Sequence, residues 1–135
     1  MKFGAFLIPG LAVALMAATG TVAQQALNVP SGQPVTLGQV LVDDSPGEIW
    51  VRFRFIAPDI NAQKAIISAD MAATDMDYLC QSLALPYLAE YALEPVRVII
   101  SLSDRDVPFG TTNPTATQFF EAYRPEKTTC IWEAF

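Results

Sequence analysis

The chain has 135 residues, 14 acidic against 8 basic side chains, a formal net charge of −6, and no histidine. The acids are scattered and no basic cluster exists, which disfavours nucleic acid and anionic membrane as partners, since both need a basic patch. The missing imidazole removes the usual general base near neutral pH, the usual zinc ligand and every Ser-His or Cys-His nucleophile system.

The amino terminus reads as an address. Lys2 supplies a short positive start, Phe3 to Ala18 is almost unbroken apolar sequence, and Thr21-Val22-Ala23 places small residues at a cleavage position. This is the layout of a secretory signal peptide over residues 1–23, cut after Ala23. The apolar run is short for a span of roughly 20 residues and lacks a basic stop-transfer flank. The expected address is therefore periplasmic or secreted, with no membrane attachment after cleavage. Residues 24–35 are polar and contain Pro30 and Pro34, which predicts an extended or loose arm. Residues 36–135 form a single globular domain.

Leu37, Val40, Leu41 and Val42 mark a strand over 36–43, and Asp44-Ser45-Pro46-Gly47 is a turn by composition. From Glu48 to Ala57 the chain alternates. Val51, Phe53 and Phe55 point one way, and Trp50, Arg52, Arg54 and Ile56 the other, which makes a β-hairpin with the first strand. Residues 64–68 read as a third strand in preference to a helical turn. Ser68 or Asp70 then caps a helix with Met76, Leu79, Cys80 and Leu83 on one face and Asp75, Asp77 and Gln81 off it. Pro86 ends or kinks that helix near Leu85 and opens a further turn through Tyr91. Val96 to Leu102 is apolar on both faces and predicts a central strand. After a polar loop holding Asp104-Arg105-Asp106, Asn113-Pro114 signals a second helix with Ala116, Phe119, Phe120 and Tyr123 as its stripe. Thr129 to Phe135 is a last strand.

The fold expected is α+β: a mixed or antiparallel sheet of four or five strands, two helices packed on one face, and one disulfide. Cys80 and Cys130 are the only cysteines. In an exported chain such a pair reads as a bridge, worth roughly 4 kcal/mol in the chain-entropy model. Two thiols without histidine are too few for a metal site, and the spacing is not that of a redox pair. Strand alternation from Cys130 puts Trp132 on the inward face beside the bridge and Glu133 on the opposite face.

Two blocks carry a resemblance. One is Asp75-Met76-Asp77-Tyr78-Leu79-Cys80. The other runs through Val98-Ile99-Ile100-Ser101-Leu102-Ser103-Asp104-Arg105, Pro108-Phe109-Gly110, Gln118 to Tyr123, and Cys130 to Phe135. Together they resemble a family of small exported alphaproteobacterial proteins of unknown function. The resemblance implies a Gram-negative periplasm and no activity.

Candidate binding residues fall in two groups. Asp104, Arg105 and Asp106 follow the central strand, a place where sheets often hold ligands, although such a loop is more commonly a solvated turn. Arg52, Arg54 and Trp50 share a face on which guanidinium can stack on indole and receive a carboxylate; the plainer reading is a solvated sheet surface. Asp43-Asp44 and Asp75-x-Asp77 lack the spacing of a calcium loop. No catalytic residue, cofactor or metal ligand is assigned. The leading expectation is a non-catalytic binding or interaction module for an unknown protein or small molecule of the envelope. The alternatives are a histidine-independent hydrolase using Asp104 and Asp106, and a structural envelope accessory protein.

Overall fold

A computed structural model describes residues 26–134. The signal-peptide reading falls on residues outside that range. Five strands form one sheet in the order β1-β2-β3-β4-β5: β1 Thr36–Asp43, β2 Trp50–Ile56, β3 Arg97–Ser103, β4 Gln118–Pro125 and β5 Cys130–Glu133. All neighbours are antiparallel except β2 and β3, so the sheet is mixed.

The expected hairpin is present. Asp43 pairs Trp50, and the turn closes where Gly47 N–H donates to the Asp44 carbonyl at 3.0 Å. The register slips between Leu37 and Gln39, leaving Gly38 as a bulge. A Cβ on Gly38 would stand 3.2 Å from the Arg54 carbonyl oxygen, so any other residue here must push the two backbones apart by a few tenths of an ångström.

Parallel strands need a long crossover, and here it is one helix, α1, over residues 69–90. Ser68 caps it: the Met71 N–H donates to Ser68 Oγ at 3.2 Å. Pro86 does not end it. The helix widens to a π-type turn over Cys80–Ala84, where the Leu85 N–H reaches back five residues to the Cys80 carbonyl. That wider turn carries the chain past a residue with no N–H to give and continues it to Glu90.

One side of the sheet packs on α1. Val51, Phe53, Phe55, Val98, Ile100, Leu102 and Tyr123 meet Ala72, Met76, Leu79 and Ala84 in a single core. β3 lies third of five and is buried on both faces, as its sequence predicts.

Several expectations need correction. Among the described residues only one helix covers the sheet, because the stretch expected to be the second helix is β4. Phe119, Glu121 and Tyr123 alternate with Phe120 and Ala122 across the sheet in pairing with β3. The Asn113 signal is real but serves a turn: its Oδ1 accepts from Thr115 N–H at 3.1 Å and Thr115 Oγ1 at 2.8 Å. Residues 64–68 are neither strand nor helix. Ala65 sits at φ 52°, in the left-handed region, which breaks an extended run.

The arm is not loose over its described part. Leu27 N–H donates to the Val35 carbonyl at 2.7 Å, and Val29, Gln33 and Val35 are buried. What holds it is Asp75, fully buried although its helical position reads as outside the apolar stripe. Its carboxylate accepts from Ser31 N–H at 2.9 Å, Ser31 Oγ at 2.5 Å and Gln33 Nε2 at 2.7 Å.

Cys80 and Cys130 are bridged, with Cα atoms 6.2 Å apart. Trp132 does share the Cys130 face, opposite Tyr123, yet it is 58% exposed. β5 is the edge strand, and α1 packs over β3 and β4 and leaves Trp132 uncovered. Glu133 points to the other face, as expected, within 3.6 Å of Arg97 and Arg124.

Candidate functional site

The helix covers one face of the sheet only. The other face carries Trp50, Arg52, Arg54 and Ile56 of β2 beside Arg97, Ile99, Ser101 and Ser103 of β3. The loop between β3 and β4 folds over part of it. Asp104 anchors that loop. Its N–H donates to the Thr117 carbonyl at 3.0 Å, and its own Oδ1 accepts from the Thr117 N–H at 3.2 Å. Val107 is buried against the sheet and Phe109 stands above it. Between loop and sheet lies an open groove of about 130 Å³, lined by Arg52, Arg54, Ile56, Ile99, Ser101, Arg105, Asp106, Phe109 and Phe120 among others.

The sheet cations are graded by partner. Arg52 Nε donates to Asp43 Oδ2 at 2.8 Å. Hydrogen bonds from Ser45, then from Arg52, hold the Asp43 carboxyl down at about 2. The Arg52 guanidinium carbon lies 5.2 Å from the Trp50 ring centroid and 5.4 Å from that of Phe109, within cation–π reach of both. Arg54 also sits under Phe109, at 5.6 Å. Its Nη1 donates to Gln39 Oε1 at 2.8 Å and its Nη2 to the Val107 carbonyl, both neutral acceptors. Among the described residues Arg54 makes no ion pair.

Asp104, Arg105 and Asp106 divide into separate roles. The Asp104 side chain is 2% exposed, and both oxygens are engaged: Arg105 Nε on Oδ1 at 3.1 Å, Arg105 Nη2 on Oδ2 at 3.0 Å, and Asn61 Nδ2 on Oδ2 at 2.7 Å. The Arg105 hydrogen bond holds its pKa below the ordinary carboxylate value, and the pair raises that of Arg105. A carboxylate spent this way is a hinge pin for the loop and a poor proton acceptor for a substrate. Asp106 is exposed on the groove and takes part in no hydrogen bond or ion pair with a described side chain.

The structure thus brings Arg52, Arg54, Arg105 and Asp106 to one groove and sets Trp50 beside it, while Asp104 lies behind. Sequence reasoning missed Phe109 and Ser101 as site residues and assigned Phe120 to a helix. The signal that was present is Pro108-Phe109-Gly110, an aromatic residue in a turn with no apolar stripe to join.

A second polar pair lies on the helix side. Tyr123 Oη donates to Asp77 Oδ1 at 2.5 Å, and burial followed by that contact raises the phenol's pKa far above its usual value. Trp132 Nε1 donates to Glu121 Oε2 nearby, at 2.5 Å. The first contact joins α1 to β4, the second ties β5 to β4, and neither lines the groove.

No curated protein matches the chain, and no solved structure does. A family model matches residues 11–135, nearly all of the chain, and by that match the chain belongs to a family of unknown function, DUF6497.

Proposed function

We propose that the protein is an exported, non-catalytic binding module whose ligand site is the groove on the open sheet face. The observation that carries the reading is Arg54: a guanidinium under an aromatic ring, in a groove, with no carboxylate partner among the described residues. Exposed aromatic and charged side chains gathered in one concave place are what a binding site needs. The engagement of both Asp104 oxygens supports binding over hydrolysis.

Export to the periplasm, and an alphaproteobacterial host, are part of the proposal. Export is supported by the apolar start of the chain and by a disulfide, which persists in oxidising compartments. No helix among the described residues is long and apolar enough to cross a membrane.

Two-dimensional NMR of the oxidised mature chain against pooled small molecules from envelope extract tests the site. Binding should move the amide signals of Ser101, Phe109 and Phe120 first. Shifts confined to the helix side would sink the assignment. Mass spectrometry tests export: Gln24 is the expected amino terminus, and intact Met1 in mature protein would contradict it.

A further inference from the structure

The geometry points to a small organic acid as the groove's ligand: a monocarboxylate with one ring-sized apolar body, its carboxylate on the free fork of Arg54. This rests on the reading of the groove as the binding site and names what enters it.

Charge counting selects the head group. Arg52 is matched by Asp43, and Arg105 by Asp104. Arg54 gives two N–H groups to neutral acceptors. A guanidinium carries five N–H donors, so most of its fork is unspent. A planar fork receives a planar carboxylate in two parallel bonds. Ser101 lines the same groove with a hydroxyl that no described residue engages, a second donor for the same head group.

Asp106 selects against more charge. It lines the groove without a partner among the described residues, so a second negative charge on a ligand meets a like charge there. A dianion would need two uncommitted cations, and among the described residues the groove offers one.

Size and lining select the body. The groove holds about 130 Å³, near the roughly 150 Å³ of an apolar cavity that takes benzene. Ile56 and Ile99 form an apolar floor, with the half-exposed rings of Phe109 and Phe120 at its sides. One ring fits flat between them.

The experiment is a titration followed by NMR with four probes: 3-phenylpropanoate, 3-phenylpropanamide, phenyl phosphate, and a short peptide ending in a free phenylalanine carboxylate. The acid should bind at least about tenfold more tightly than the amide, the scale of a charge-assisted hydrogen-bonded pair. It should also outbind phenyl phosphate and the peptide. Arg54→Gln should erase the preference of acid over amide, and Asp106→Asn should improve phenyl phosphate more than the acid. The acid-to-amide ratio is read on the unaltered protein, so it stands if a variant misfolds. Equal binding of acid and amide at the groove overturns the ligand class and leaves the groove as a site. Tighter binding of the peptide also overturns the small acid. If no probe moves groove signals while pooled extract does, the ligand class alone falls; if neither moves them, both readings fall.

Discussion

Asp104 and Asp75 are both buried carboxylates, and they do different work. Asp104 is answered by a cation, Arg105, itself largely exposed. Removing that cation leaves a charge behind the loop with only Asn61 and Thr117 as donors. Arg105→Ala should therefore lower stability, because the buried Asp104 carboxylate is left under-satisfied. Urea unfolding at neutral pH measures it; an unchanged midpoint would show the pair to be idle. The pH dependence has a definite sign. Asp43 and Asp104 both have folded pKa values below their ordinary ones, so each adds stability above the unfolded pKa of about 4 and loses it as pH falls through the folded value. For Asp43 that loss runs from about 4, the unfolded value, down to about 2, the folded one. In Arg105→Ala the Asp104 contribution should disappear at higher pH than in the unaltered protein, so acid unfolding begins earlier. Among the described residues Asp75 is answered only by Ser31 and Gln33 of the amino-terminal segment. Asp75→Ala should cost about 1–3 kcal/mol and speed hydrogen exchange first and most in residues 26–35, with β3 still the best protected strand. Loss of protection spread evenly over the sheet would contradict a local clasp.

At the scale of elements, the hairpin, the capped helix and the central strand were legible because each carries its own period. Trp50 to Ile56 alternates strictly, and its two faces are the core and the groove floor. Met76, Leu79 and Cys80 follow helical spacing and are buried together. β4 was not legible as a strand. Phe119, Phe120 and Tyr123 satisfy a helical stripe as well as a strand, and Asn113-Pro114 mimics a helix start. The pairing of Tyr123 with Val98 and Phe119 with Leu102 decides the matter through contacts far apart in sequence. Burial of Asp75 was invisible for the same reason, since its partners come from a segment that composition marks as loop. Of the site, the sheet residues Arg52 and Arg54 were readable from alternation, whereas Phe109 depends on where a loop folds. Two substitutions test element ends. Ser68→Ala removes the helix cap and should cost about 1 kcal/mol, read as a lower urea midpoint with an unchanged slope. Gly38→Ala presses a methyl against the Arg54 carbonyl and the Ile56 side chain. It should weaken binding at the groove by shifting β2, and a variant with native stability and native groove signals would show that the bulge tolerates a side chain.

Taken whole, residues 26–134 are a hairpin and a three-stranded meander joined by one helical crossover, and the disulfide is the only covalent tie besides the backbone between the helix and the meander's far edge. The sheet itself holds β5 weakly. It pairs with β4 over four residues and, among the described residues, has no strand on its other side. Its ion pairs from Glu133 to Arg97 and Arg124 are partly exposed, and such pairs contribute little. Trp132, exposed on the edge, adds little burial. The bridge across 50 residues is therefore what fastens this strand. Closing a loop of that length is worth roughly 4 kcal/mol in the chain-entropy model, within the 2–5 kcal/mol typical of native bridges in small secreted domains. Reduction, or a Cys80→Ala and Cys130→Ala double variant, should lower the unfolding free energy by about that much. Hydrogen exchange after reduction should show where the loss begins: residues 130–134 should open first, while β3, central and buried on both faces, stays protected until global unfolding. In a Trp50→Phe background, Trp132 should emit as a solvated indole before reduction as well as after, because it starts exposed. A blue-shifted emission in the oxidised protein, or β3 opening together with β5, would mean that the edge strand is held by packing and not by sulfur.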